Sequence, residues 1–561
     1  MPLKHRVIPF LGLIAPLVLL SALRRCTPDT QFELLGMSLY WIAALLSLAC
    51  VGLFLTTPKN FPESPRAAAL YLLGALCAIG LAYFSNQIFE PGMRVQWDEA
   101  ELYDTSLSMR FRQTALTPAM ALPGPNPGEV MPIFFRLGRR PPLYPFAVSL
   151  SHIAFGASEA NPPRVNTVLL ATLLYSTFCL VFTSLGAAGA FSSLLLLSSA
   201  PLLFWQGTSG SMDLLASCAV LALAWAAASH WRQPSTRTFA SFLLMGLIAS
   251  YTRYEVIGIF AILLPFSAWR AAKADLPIRT LLNYLAPVPT LLLPLLLVVI
   301  NASGSFVEAG DQSVFHPSYF FTNGITFLKN FFLPSSSVYQ GTLNLLAAAA
   351  ILLTLYQRKK NAFAGFLAIA TSFSLALTLA FFNGNPIAFE SARLFLLSSL
   401  AMALAPLLLL YCFPGKKLAG ALLAIALLTF AMQAKSAWKA KILPESLATL
   451  AGASLHDFML TDPRAKEPKA LYIFHPSEFL LSLGKAAVDL DFFLEHEQEL
   501  GELKAQGAIG KIFWIHTGTE VPAQEIELMR KQLELRYTMR EAVRLPLNPI
   551  STVIYELVSA D

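Results

Sequence analysis

Four carboxylates, Asp98, Glu99, Glu101 and Asp104, fall within one or two helical turns in the stretch 93–109, in a chain of which only 13% is charged. They follow a long apolar run and are flanked by Trp97 and Tyr103, aromatic types that favour the interface between membrane and water. A carboxylate at such a surface can take a proton as a general base or bind a metal ion. The plainer alternative is an acidic first turn favoured by the helix dipole.

Other charges stand where an apolar chain has few. Arg139 and Arg140 precede Pro141-Pro142. The proline pair fixes an extended chain, and guanidinium groups pair well with phosphate, although arginines also snorkel to lipid headgroups. Asp213 ends the polar loop 206–213 and leads into an apolar helix. Arg253 and Glu255 lie in Thr-Arg-Tyr-Glu, between two apolar runs with no polar linker. Charges in so tight a hairpin are costly unless paired or functional, and pairing of Arg253 with Glu255 is the structural alternative. Arg393 opens a late helix, and an arginine in or near the membrane is a functional candidate; structural pairing with Glu390 is the plainer alternative.

The elements that must position these residues are membrane helices. The chain of 561 residues is 55% hydrophobic with a mean hydropathy of +0.58, whereas a soluble protein carries about a quarter charged residues. Thirteen runs approach the roughly 20 residues needed to cross the hydrocarbon layer: 7–23, 34–56, 67–88, 164–184, 187–206, 214–230, 238–252, 255–269, 280–301, 341–357, 362–382, 394–412 and 418–435. The basic start and the run 7–23 read as a retained first helix. Cys26, Cys50, Cys77, Cys179, Cys218 and Cys412 show no Cys-x-x-Cys spacing, so they read as small buried side chains. The net charge of +6 is too small and scattered to argue for nucleic acid.

Orientation follows from the loops. With 142–157 as a non-spanning surface helix and the N-terminus inside, Lys59/Arg66, Arg232/Arg237, Arg270/Lys273/Arg279, Arg358/Lys359/Lys360 and Lys416/Lys417 all become cytoplasmic, as the positive-inside rule requires. The loops 89–163 and 302–340 and the tail then lie outside, and the acidic cluster, Asp213, Arg253 and Glu390–Arg393 share that face. Loop 302–340 carries Phe315, His316, Tyr319, Phe320 and Phe321, suited to covering a site or to interfacial anchoring. The tail is richer in charge. Runs 470–474, 511–515 and 551–558 read as strands, and 476–483 and 521–535 as helices. The expected divisions are 1–66 (two accessory helices), 67–436 (membrane catalytic module) and 437–561 (a small extracytoplasmic α/β domain that binds or stabilises).

The order of these motifs resembles the GT-C integral-membrane glycosyltransferases, in particular the bacterial group with the protein O-mannosyltransferase-like enzymes and the lipid A aminoarabinose transferase. The motifs are the Asp98-Glu99 pair with Tyr103, Arg140-Pro-Pro-Leu-Tyr144, Arg164, Asp213, Thr252-Arg-Tyr-Glu255 and Glu390-x-x-Arg393-Leu-Phe395. Tyr103 stands one residue later than the family spacing, and Arg140 replaces a frequent His or Lys. The resemblance implies a polytopic helical membrane protein that takes a sugar from a polyprenyl-phosphate donor and transfers it, with inversion, to an extracytoplasmic lipid, glycan or protein. It implies Asp98 as the base, with Glu99 beside it, and Arg139, Arg140, Arg253 and Arg393 towards the donor phosphate. Asp213 and Glu390 are substrate or metal candidates, with a divalent cation as candidate cofactor. Glu101 and Asp104 fall back to solvated helix faces. A lipid-linked sugar flippase and an oligosaccharide ligase are the alternatives; the few charges within the middle helices weigh against the flippase.

Overall fold

Apolar runs closed by small polar caps build most of the molecule. Ser64 accepts a hydrogen bond from Ala67 N ahead of a proline at the first helical position of Pro65–Ile88, the arrangement that suits a helix start. Ser235 and Thr238 form a reciprocal capping box at Thr236–Ser250, and Asn361 caps Ala362–Ala380. The computed structural model describes residues 16–18, 20, 21, 23–56, 64–93, 96–126, 128–303, 315–332, 341–357, 361–381, 384, 389–440, 447–517, 523–546 and 551–559. Most of the expected first crossing at 7–23, together with Lys59, Arg358, Lys359, Lys360 and parts of loop 302–340, lies outside these residues.

Among the described residues, nine helices are long and apolar enough to cross a membrane, and Leu143–Phe155, Thr236–Ser250 and Thr342–Tyr356 are shorter apolar helices. The chain is a multi-pass membrane protein. The runs expected at 164–184 and 187–206 are largely one stretch, Asn161–Ser198, interrupted at Gly186 with φ 74°, a backbone that L side chains rarely adopt. Helix Pro65–Ile88 approaches Asn161–Ser198 so closely at Gly74 that any Cβ would overlap the Phe178 ring. The run 280–301 is divided into Ile278–Leu285 and Pro287–Ser303; Ala286 between them keeps helical dihedrals, and Pro287 lacks the N–H that would continue the hydrogen-bond ladder. Leu143–Phe155, at 13 residues, is about 20 Å long, too short to span.

The chain divides into two units. The first is Met1–Gly92 with Arg139–Leu443, and the second is Met93–Gly138 with Pro444–Asp561. The segment 93–138, which the sequence reading assigns to an outer loop of the membrane module, therefore folds with the tail. It supplies helix Gln96–Arg112 and an antiparallel hairpin, β1 (Leu116–Pro123) and β2 (Val130–Leu137). The tail supplies β3 (Leu471–Ile473), β4 (Ala487–Val488), β5 (Ile512–Thr517), β6 (Tyr537–Pro546) and β7 (Ser551–Ser559), in the order β4-β3-β5-β7-β6. The strands β4, β3 and β5 run parallel, and β7 and β6 antiparallel.

Side-chain alternation gives this sheet two cores. Tyr472, Phe513, Ile554 and Val543 face one, which also takes Ala100 from the acidic helix. Leu471, Ile473, Trp514 and Leu557 face the other, against which Met120, Leu122 and Val130 of the hairpin pack. Strand β6 is absent from the sequence reading because Arg540, Glu541 and Arg544 break its apolar pattern; it is an edge strand, where charge is the rule.

Candidate functional site

In the first unit the charges singled out by sequence converge on Asp213. Three residues, Tyr251–Arg253, join Thr236–Ser250 to Tyr254–Lys273, and the extended backbone of Arg253 (φ −155°, ψ 149°) starts the second helix. That turn places Arg253 against Asp213, the first residue of Asp213–Arg232, with which its Nη1 forms an ion pair and hydrogen bond. Arg253 Nε lies 2.6 Å from Glu255 Oε1, so the local pairing forms in addition to the long-range one. Arg393 Nη1 is 3.8 Å from the other Asp213 oxygen. Asp213 is 2% exposed, so two guanidinium groups offset the desolvation of its charge. The side chain of Glu390, expected beside Arg393, lies outside the described residues.

These residues line a small cleft. Asp213, Arg253, Glu255 and Arg393 are joined in it by Ser217 and Ser374, with Val220, Ile259 and Leu397 among the apolar walls. The polar loop before Asp213 is held from below: Asn166 Nδ2 donates to Ser209 O at 2.7 Å and to Ser211 O at 2.8 Å, and Gln206 meets Ser211 within the loop. Arg139 is tied to the same turn, since Tyr254 Oη donates to its carbonyl at 2.8 Å and Leu143 N donates to Tyr251 O at 3.1 Å. Arg139 and Arg140 are both half-buried. Arg164 Nη1 reaches Asn161 Oδ1, one turn away in its own helix, at 3.2 Å. Sequence reasoning did not find Asn166 or Tyr254 as supports; an Asn in an apolar helix start and a Tyr in a tight hairpin were the signals available.

Charge bookkeeping constrains what this cleft can hold. Among the described residues that line it, the carboxylates of Asp213 and Glu255 accompany the guanidinium groups of Arg253 and Arg393. Asp213 already faces two guanidinium groups, and among the described residues no group of three or more His, Cys, Asp or Glu could hold a metal ion.

Asp98 and Glu99 belong to the second unit, in the first turn of Gln96–Arg112. Asp98 is partly exposed and Glu99 is 1% exposed. Glu101 and Asp104, expected on solvated faces, are 5% and 3% exposed. The correction has a physical cause: the helix face that carries them is covered by the tail. Arg136 of β2 lies 3.8 Å from Glu101 Oε2 and 2.6 Å from Glu478 Oε1. Thr105 and Thr117 hydroxyls bond between helix and β1. Burial pushes the Glu478 carboxyl up, against the pull of Arg136, and neighbouring Glu101 and Asp489 push it the same way.

Of the aromatic residues in loop 302–340, Phe315 and Phe321 are 55% and 70% exposed, on and beside helix Pro317–Phe332. Asn323 Nδ2 fastens that helix to the carbonyls of Leu379 and Phe381.

No protein-family model matches the chain, and no curated protein matches it. Among solved structures it is similar to the crystal structure of ArnT from Cupriavidus metallidurans bound to undecaprenyl phosphate, at 12% identity and a TM-score of 0.51, over 88% of this chain and 98% of that one. The archaeal oligosaccharyltransferase AglB from Archaeoglobus fulgidus, in complex with an inhibitory peptide and a dolichol-phosphate, aligns at 11% identity and a TM-score of 0.46, over 80% and 69%. The likeness to the ArnT structure shows the fold: the chain has the GT-C architecture.

Proposed function

We propose that this GT-C-fold chain is a glycosyltransferase of the cytoplasmic membrane that moves a sugar from a polyprenyl-phosphate donor to an extracytoplasmic acceptor with inversion. The observation that carries the reading is the convergence of Arg253 and Arg393 on buried Asp213 at the mouth of one cleft, with the Arg139–Arg140 segment hydrogen-bonded to the same turn. The similar ArnT structure is bound to undecaprenyl phosphate, which agrees in donor chemistry.

In this reading the acceptor hydroxyl or amine attacks the anomeric carbon while Asp98 takes its proton, with Glu99 beside it. The bond from that carbon to the phosphate oxygen breaks and its electron pair stays on the phosphate. Arg253, Arg393, Arg139 and Arg140 face the charge that develops there, and fixed donors aimed at developing charge are the largest single source of rate enhancement in many enzymes. Asp213 holds the two guanidinium groups apart and oriented, so that they need not reorganise when the donor arrives. No step passes through a metal ion.

The test is transfer in membranes supplied with defined polyprenyl-phosphate sugars, followed by product mass. One sugar added to the acceptor supports the reading. A whole glycan added points to an oligosaccharide ligase. Movement of the lipid across liposomes without a new glycosidic bond points to a flippase.

A further inference from the structure

Outside the cleft, the buried charge network of the second unit has no part in the steps above. Arg136 sits between Glu101 of the acidic helix and Glu478 of the short helix Ser477–Ser482. Glu478 is 3% exposed. The three side chains come from three elements, the last separated from the others by the membrane helices of the first unit.

We propose that Glu478, acting through Arg136, is a positioning residue that fixes the rotation and axial register of the helix carrying Asp98 and Glu99, so that the C-terminal α/β segment orients the proposed base. The inference rests on the role of Asp98 given above. Asp98 and Glu101 are three residues apart on one helix and so share a face. Whatever holds Glu101 therefore holds the direction in which Asp98 points. A slip of one residue turns the helix by about 100° and takes Glu101 away from the Arg136 fork. Ala100, wedged among Leu455, Phe458 and Phe479, gives the helix a seat, but a small side chain specifies rotation weakly.

The same surface is fastened from the other side. Ser477 Oγ donates to Ala119 O of β1, and Ser477 N donates to Asp489 Oδ1 at 3.3 Å. Apolar residues of similar volume would hold such elements together at equal or lower cost than a buried ion pair. What the charges add is direction. The upward push on Glu478 agrees with this: the network is costly for stability and selective for geometry.

The experiment uses the full chain in nanodiscs, comparing wild type, Glu478→Gln and Arg136→Lys, the last keeping the charge while losing the planar fork. Two quantities are read: transfer kinetics, and amide hydrogen exchange across 96–112 and across β3, β5 and β7. The expected result for both variants is a fall in kcat of about tenfold, as for a misplaced catalytic group, with KM for the donor unchanged and faster exchange confined to 96–112. Unchanged kcat and exchange overturn the inference, as does exchange that accelerates evenly through the whole second unit. If wild type transfers no sugar, the proposed function fails, while the exchange pattern still decides whether Glu478 holds the helix.

Discussion

Each unit buries carboxylates against arginine, but with opposite balance. Around Asp213 two arginines meet two carboxylates at a cleft with an open mouth, and further arginines lie on a segment bonded to the same turn. Around Arg136 one arginine serves two carboxylates, Glu101 and Glu478, both nearly inaccessible. The first arrangement is open to an incoming anion. The second is closed, with Glu101 and Glu478 both nearly inaccessible. Burial of an ion pair is therefore not by itself a mark of a binding site; the mark is accessible space beside it.

The sharpest way to break this contrast lies at the end of the acidic helix that remains partly exposed. Asp98→Asn should lower transfer on the order of 10²- to 10⁴-fold with no change in folding; near-full activity in a membrane assay would remove Asp98 as the base. Next, Arg393→Gln, at the open cluster, should cost about 10²-fold in kcat/KM, with a thermal midpoint close to wild type. A large drop in the midpoint instead would class Arg393 with the closed network.

The closed network should answer to pH through stability. The Glu478 carboxyl is raised by burial, so its ionised form is disfavoured in the folded chain. Its favourable contribution is present below the ordinary carboxylate pKa of about 4.3 and is lost as pH rises through the raised value. Glu478→Gln should flatten that decline, seen as thermal midpoints of the two proteins that converge or cross between acid and neutral pH; parallel curves would refute it. The smallest effect belongs to Tyr254→Phe. Loss of its bond to the Arg139 carbonyl should cost about 1 kcal/mol, a several-fold rise in KM for the donor.

The same contrast explains what the sequence made legible. Asp213, Arg253 and Arg393 stand out because a charge in an apolar run must be paired or used. Two of the contacts they make, Arg253 and Arg393 on Asp213, are long-range, and only their shared face could be inferred from loop positions. Glu101, Asp104 and Glu478 were illegible for the converse reason. A glutamate in a polar helix or in a charged tail is ordinary, and its burial depends on a partner surface more than 300 residues away. The break at Gly186 was legible as a gap between apolar runs, whereas β6 was hidden by its edge charges. The fold class was written in hydropathy; the closed network was written in tertiary contacts alone.

The discontinuity of the second unit also has a consequence in time. Its first segment, Met93–Gly138, leaves the ribosome before the first unit's Arg139–Leu443, and its partner, Pro444–Asp561, follows that stretch. At typical rates of synthesis the intervening stretch takes on the order of tens of seconds. Throughout that interval Ala100, Met120, Leu122 and Val130 lack the cores they will join, and Arg136 lacks its Glu478 partner. The nascent protein must insert the membrane helices of Arg139–Leu443 while its acidic helix waits, so synthesis of Pro444–Asp561 sets the moment at which the second unit can close.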